Sequence, residues 1–400
     1  MSSPYRVACI VTHPVQYQAP MFRYLAASPE LDLTVFFLSD FSMRKYHDPG
    51  FGVALKWDVP LLEGYRSEFL PALGAIDRIS FWRPFMRAIR SRLRAGRFDA
   101  LWIHGYAHQA MLRAIAAARS LGIKVLLRGE SHRGSESRFV LTRILKRRAL
   151  PALLRRVDAC LPIGARNREY YRGYGVPESK LFAMPYAVDN EFFRAGADAA
   201  RAGRERLRAE LGLAPGRQII LFASKLQPRK RAGNLIEACA ALKSPPRPYL
   251  LIVGDGEERA ALEVRAREFG LDGAIRFLGF RNQTELPRLY DLCDVFVLPS
   301  DAEPWGLVLN EVMNAAKPVI ASDAVGAASD LVIEGENGFV FPVGDIGALT
   351  RALERVTISP EHAAAMGAKS LEIVARYSFE ADRVGLLTAL AAVAGRAARN

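Results

Sequence analysis

Short apolar, β-branched runs alternate with amphipathic stretches along this chain, and that alternation most restricts the fold it can reach. Val7–Thr12, Leu33–Leu38, Ala100–Ile103, Ile123–Leu127 and Ala159–Ile163 read as strands buried on both faces, as in a parallel sheet. Helical stretches are predicted near Gln18–Ala27, Phe81–Ala95, Ala107–Leu121 and Val140–Arg156. Ser42–Leu73, rich in Pro, Gly and aromatics, reads as a long loop or insertion. Asp189–Pro215 is a natural boundary, after which the series restarts at Gln218–Ala223. It continues through Tyr249–Val253, Ile275–Leu278, Val295–Leu298, Val319–Ala321 and Phe339–Phe341, with helices near Pro360–Ala375 and Phe379–Ala398. The expected fold is α/β, with two facing Rossmann-like domains (1–188 and 189–378) and a cleft between them.

Composition narrows the function. No apolar run approaches the roughly 18–20 residues a bilayer span needs. Cys9, Cys160, Cys239 and Cys293 are far apart and lie in apolar elements, which fits buried thiols in a reducing, cytoplasmic setting better than zinc ligands or a disulfide framework. Charge is lopsided: residues 1–190 hold 29 Lys and Arg against 15 Asp and Glu, whereas residues 191–400 hold 26 against 27. A basic first half attracts anionic partners, and an anionic membrane surface or a lipid diphosphate is among them. The helix near Val140–Arg156 could lie on such a surface, or face the core with a solvated Arg stripe.

The most informative segment for function is Asp301–Glu311. It follows the strand-like run Asp294–Pro299, and Pro304 and Gly306 break the chain so that Glu303 sits in a loop. Helical spacing resumes at Gly306, which would put Glu311 two turns into a helix. Backbone amides near Gly306, Leu307 and Val308 would offer an anion site, flanked by two carboxylates suited to sugar hydroxyls. Phosphate plus polyhydroxyl suggests a nucleotide-sugar; the plain alternative is a solvated helix face. Upstream, Lys225 and Lys230 lie five apart at the end of the run Gln218–Ala223, where both ammonium groups could converge on one diphosphate, unless this is simply a basic turn.

Glu303, seven residues, Glu311 resembles the signature of retaining glycosyltransferases of family 4. Ser224-Lys225-Leu226-Gln227-Pro228-Arg229-Lys230 resembles that family's Gly-Arg-Leu-x-Pro-x-Lys segment, with Lys225 in place of the Arg that grips the donor diphosphate. The resemblance runs over most of the chain and is strongest from Ser224 to Gly344. It implies the GT-B fold, a C-terminal helix near 379–398 packed on the first domain, and Gly254 and Arg281 beside the nucleotide. It also implies that His104 faces the transferred sugar. His13 and Gln16, after the first strand, could touch acceptor or donor, or form a structural turn. Arg128 could hold an anionic or hydroxylated acceptor, or pair internally with Glu130.

The expected activity is transfer, with retention, of a sugar from a UDP- or GDP-sugar to a glycan or lipid-linked hydroxyl acceptor. Catalysis is assigned to Glu303, His104 and Lys230; donor contacts to Lys225, Lys230 and Glu311. No Asp-x-Asp motif ends a strand, so no metal or other cofactor is expected; nor is nucleic acid as a partner. The rival readings are a sugar-nucleotide 2-epimerase on the same fold and a non-enzymatic binder of anionic polymer.

Overall fold

The computed structural model describes residues 3–48, 50–73, 80–132, 134, 140–243 and 246–395, with side chains of 140–145 left out. The chain forms two compact units. One holds Met1–Tyr46, Val59–Val188 and Ser378–Asn400; the other holds His47–Asp58 and Asp189–Tyr377.

The first unit is built on a six-stranded sheet whose order is Ala159–Cys160, Lys124–Arg128, Ala100–His104, Tyr5–Val11, Leu31–Phe37 and Arg66–Phe69. Every pairing is parallel. The central strand is fully buried from Val7 to Val11, with Val7 opposite both Leu33 and Ala100. Arg66–Phe69 lies where a loop was expected. It escapes an apolar reading because it is an edge strand with charged side chains outward: Arg66 pairs with Asp32 and Glu68 with Arg92. The helix expected over Phe81–Ala95 spans only Ile89–Gly96. Pro84 lacks an N–H, and the residues after it form a two-residue strand, Phe85–Met86, against Ala72–Leu73.

Ser378 caps the helix Phe379–Ala394 through the Ala381 amide. That helix sets Phe379, Leu386, Ala389 and Leu390 into the core formed by Val7, Val35 and Trp102. It therefore completes the first unit although it closes the chain.

The second unit repeats the plan, in the order Ile275–Gly279, Tyr249–Val253, Ile219–Ala223, Val295–Leu298, Val319–Ser322 and Gly338–Phe341, again all parallel. Ile219–Ala223 and Val295–Leu298 are buried throughout, as all-apolar runs in a covered parallel sheet must be. No helix among the described residues is long and apolar enough to cross a membrane.

Candidate functional site

In the second unit, the side chains singled out by the sequence gather where adjacent strands end. Ile219–Ala223 leads into Lys225 and the short helical turn Pro228–Lys230; Val295–Leu298 leads into Asp301 and Glu303. Because these strands are neighbours in the sheet, their loops meet. The Asp301 amide donates to the Arg229 carbonyl at 2.9 Å, and Arg231 Nε donates to the Asp301 carboxylate at 2.8 Å. Lys230 is 6% exposed, and its ammonium donates to the Glu303 carboxylate. Arg229 stands 3.9 Å from the same carboxylate. Burial holds the Lys230 pKa below the usual lysine value; Glu303 opposes that shift, while Arg229 and Lys225 add to it through like charge. Lys225 and Lys230 thus share one electrostatic neighbourhood.

Gly306 fixes the next turn. Its φ of +101° lies in the left-handed region, and an added Cβ would sit 3.0 Å from Leu298 and 3.1 Å from Val325. Leu307 and Val308 open the helix Leu307–Met313, so Glu311 is its fifth residue, little more than one turn in rather than two. Its carboxylate accepts a 2.6 Å bond from the Tyr290 hydroxyl. Part of Glu311 reaches the surface, yet the crowding around its carboxyl is dense enough that burial raises the pKa to about 7, against a partial lowering by Tyr290.

Sequence reasoning missed the partner of Lys225. Asp48, on the segment His47–Asp58, accepts from Lys225 Nζ at 2.7 Å and also from the Gly50 and Phe51 amides. This segment is early in the chain but belongs to the second unit. Phe51 lies under the Lys225 ammonium at 4.8 Å and packs edge-on to Phe280, and Asn282 donates to the Lys56 carbonyl. Asp48-Pro49-Gly50 is a visible turn signal, but nothing local names its distant partner. Arg281 pairs with Glu285 at 3.3 Å. Gly254 is required by packing: a Cβ there would meet the Ser224 carbonyl at 1.9 Å.

The first unit carries a second group at its own strand ends. His104 ends its strand, with Nε2 3.8 Å from the Glu130 carboxylate, and both ring nitrogens are buried without a hydrogen-bond partner among the described residues. Tyr186 donates to Glu130. Gln16 likewise buries an unpartnered Oε1. His13 bonds Thr12 Oγ1 through Nδ1 at 3.0 Å and packs on Phe41; burial lowers its pKa to about 4, so the ring is neutral at pH 7.

Arg128 does not serve the site as expected. It is 0% exposed and spends its guanidinium inside the unit, on Asp382 at 3.0 Å and the carbonyls of Met184 and Pro185. A fully enclosed cation cannot reach a soluble acceptor. Its internal partner is Asp382 from the last helix, not Glu130.

The two parallel-sheet units make this an α/β protein of the GT-B class. Residues 203–372, within the second unit, match the family described as Glycosyl transferases group 1. Among curated proteins, the chain is 31% identical over 223 residues to D-inositol 3-phosphate glycosyltransferase 2 of Catenulispora acidiphila, covering 53% of this chain and 51% of that one. It is 30% identical to the alpha-D-kanosaminyltransferase of Streptomyces kanamyceticus, covering 57% and 58%. The chain thus spans about half the length of the curated relatives it matches. Among solved structures, Anabaena Alr3699/HepE in complex with UDP superposes with a TM-score of 0.73 at 19% identity, covering 96% of this chain and 99% of that one. Sucrose-phosphate synthase from Thermosynechococcus elongatus superposes with a TM-score of 0.71 at 22% identity, covering 96% and 98%; these two likenesses are of fold. The family match is confined to residues 203–372, and the likeness over the whole chain is of the GT-B fold.

Proposed function

We propose that the chain is a retaining glycosyltransferase that takes a sugar from a UDP- or GDP-sugar and passes it to a hydroxyl acceptor. The observation that carries this reading is the buried Lys230 ammonium set against Glu303, beside the Gly306 turn and in the same charge field as Lys225. Two cations near a carboxylate suit a ligand with a diphosphate joined to a polyol. Lys230 and Lys225 stabilise charge growing on the leaving diphosphate, with help from the amides of Leu307 and Val308. Glu303 holds donor sugar hydroxyls, Glu311 accepts from ribose hydroxyls, and His104 hydrogen-bonds the transferred sugar. The acceptor proton passes to the leaving phosphate, so no enzymic nucleophile is assigned, and the lysines take the place of a metal ion. Calorimetric titration with UDP and GDP, followed by nucleotide release from the matching sugars, tests the assignment. Absence of binding by both nucleotides would remove it, and epimer formation without nucleotide release would favour the epimerase.

Two further results are expected at this site. UDP affinity should rise roughly tenfold between pH 6 and pH 8 as Glu311 ionises, relative to a Glu311→Gln variant titrated in parallel. The same group links to stability with the opposite sign. Its folded pKa is raised from 4.5, so its contribution is complete below that value and is lost as pH rises through about 7. Equal pH profiles for the two proteins would take Glu311 out of the ribose contact. Asp48→Asn should tighten UDP binding roughly two- to fivefold, because the donor no longer competes with a carboxylate for a partly exposed ammonium. In a Lys225→Ala background the same change should have no effect.

A further inference from the structure

Lys230 and Glu303 face each other although neither lies on a strand. Ile219–Ala223 ends seven residues before Lys230, and Val295–Leu298 ends five before Glu303. The sheet fixes where these loops begin, and contacts outside the sheet must fix where their side chains finish. Three such contacts tie the Pro228–Lys230 turn to the loop of Glu303. The Asp301 amide donates to the Arg229 carbonyl at 2.9 Å, Arg229 Nη1 to the Ala302 carbonyl at 3.0 Å, and Arg231 Nε to Asp301 Oδ2 at 2.8 Å. Arg231 Nη2 stands 2.8 Å from the same oxygen, so two guanidinium nitrogens grip one carboxylate.

Arg231 makes this contact from a backbone that does not suit it. Its φ of +53° and ψ of +33° lie in the left-handed region, where a Cβ crowds the following carbonyl and glycine is the usual occupant. The residue ends the Pro228–Lys230 turn and opens the helix Ala232–Ala241, so the left-handed step swings the chain from one into the other. Glycine would make that step with less strain. Arg231 is exposed, and an exposed ion pair adds little to stability. Strain held beside a candidate site with little return in stability calls for a use there. The next residue back is Lys230, whose own amide is bonded inside the turn, to the Gln227 carbonyl at 2.8 Å.

We propose that Arg231 is a positioning residue of the donor site, whose grip on Asp301 fixes the turn carrying Lys230 against the loop carrying Glu303. Arg231 acts through Lys230 rather than on the ligand. With the Lys230 to Glu303 bond there are four links between the two segments, and they keep the ammonium from swinging away as charge grows on the leaving group. The role in turnover rests on the transferase reading; the hold on the two loops does not.

The test uses the whole protein and the variants Arg231→Gly, Asp301→Ala and their combination. Amide exchange in peptides covering residues 226–231 and 299–305 should rise at least roughly fivefold in each, with no change in Tyr249–Val253. Turnover is read as nucleotide release from whichever UDP- or GDP-sugar the wild type turns over fastest. In Arg231→Gly kcat should fall about tenfold while donor KM moves less than about twofold, because the misplaced ammonium is missed chiefly in the transition state. Its melting temperature should stay within about 2 °C of wild type, since relief of the backbone offsets the lost surface pair and the freer unfolded chain. The double variant should be no slower than either single one, as both remove the same link. Arg231→Lys keeps the charge without the fork and should recover part of the rate. Wild-type exchange or an unaltered kcat in Arg231→Gly would overturn the proposal. So would a rate loss matched by a fall in melting temperature, which marks a merely structural residue. Faster exchange in the variants, with no nucleotide release by the wild type, would sink the transferase reading and leave the hold on the loops standing.

Discussion

Lys230→Ala is expected to slow sugar transfer by about two to three orders of magnitude, the usual effect of removing one buried donor aimed at developing charge. Lys230 is 6% exposed, so little water is at hand to replace its ammonium when negative charge appears on the leaving diphosphate. Glu303 would lose its partner as well, and the sugar hydroxyls it holds would be less well placed. A single-turnover assay with saturating donor reads the chemical step directly. Lys230→Arg restores charge but not shape, and should recover only part of the rate. The melting temperature of each variant separates lost catalysis from lost folding. Near-normal turnover in Lys230→Ala would place the phosphate site elsewhere.

The second large effect concerns stability. Arg128 and Asp382 are both 0% exposed and 3.0 Å apart. Removing the cation in Arg128→Met leaves a carboxylate with no partner in the core, which costs about 3–5 kcal/mol when one member of a buried pair is lost. Four bonds disappear with it, those to Asp382, to the Met184 and Pro185 carbonyls and to the Met21 sulfur. Urea unfolding of the Arg128→Met protein should show this loss. The double variant Arg128→Met, Asp382→Leu should recover much of it, since no charge is then stranded. Because Asp382 lies on the final helix, hydrogen exchange in Phe379–Ala394 should rise first. A single variant as stable as wild type would mean that water or a neighbouring group takes over the pairing.

This pair also shows how the sequence falls short. Arg128 follows a strand, and a cation in that place can serve a ligand or a core partner. What separates the two is a residue 254 positions away. No local pattern carries that information, because the partner arrives only when the last helix packs on the first sheet. Asp48 and Lys225 pose the same problem over 177 positions. The edge strand Arg66–Phe69 was hidden for a different reason: strand propensity is read from burial, and one rim of that strand is left to solvent.

Much else was legible. Ile219–Ala223 and Val295–Leu298 declare themselves because a strand covered on both sides must be apolar at every position. The loops after them are then obliged to carry whatever chemistry the sheet supports, since buried strands have no polar side chains to offer. Lys225, Lys230, Glu303 and Glu311 stand at or just beyond those strand ends, where spacing left a basic turn and a solvated helix face as alternatives and the resemblance to family 4 singled them out.

The sequence by itself determined the α/β alternation, its restart after Asp189 and the charged residues that end the strands, because these follow from periodicity and backbone sterics within a dozen residues. Only the tertiary structure decided which charges face each other. It gave Lys230 to Glu303, Lys225 to Asp48 and Arg128 to Asp382. An ion pair is a matter of ångströms between side chains, and that distance is set by how sheets and helices pack, not by the order of residues along the chain.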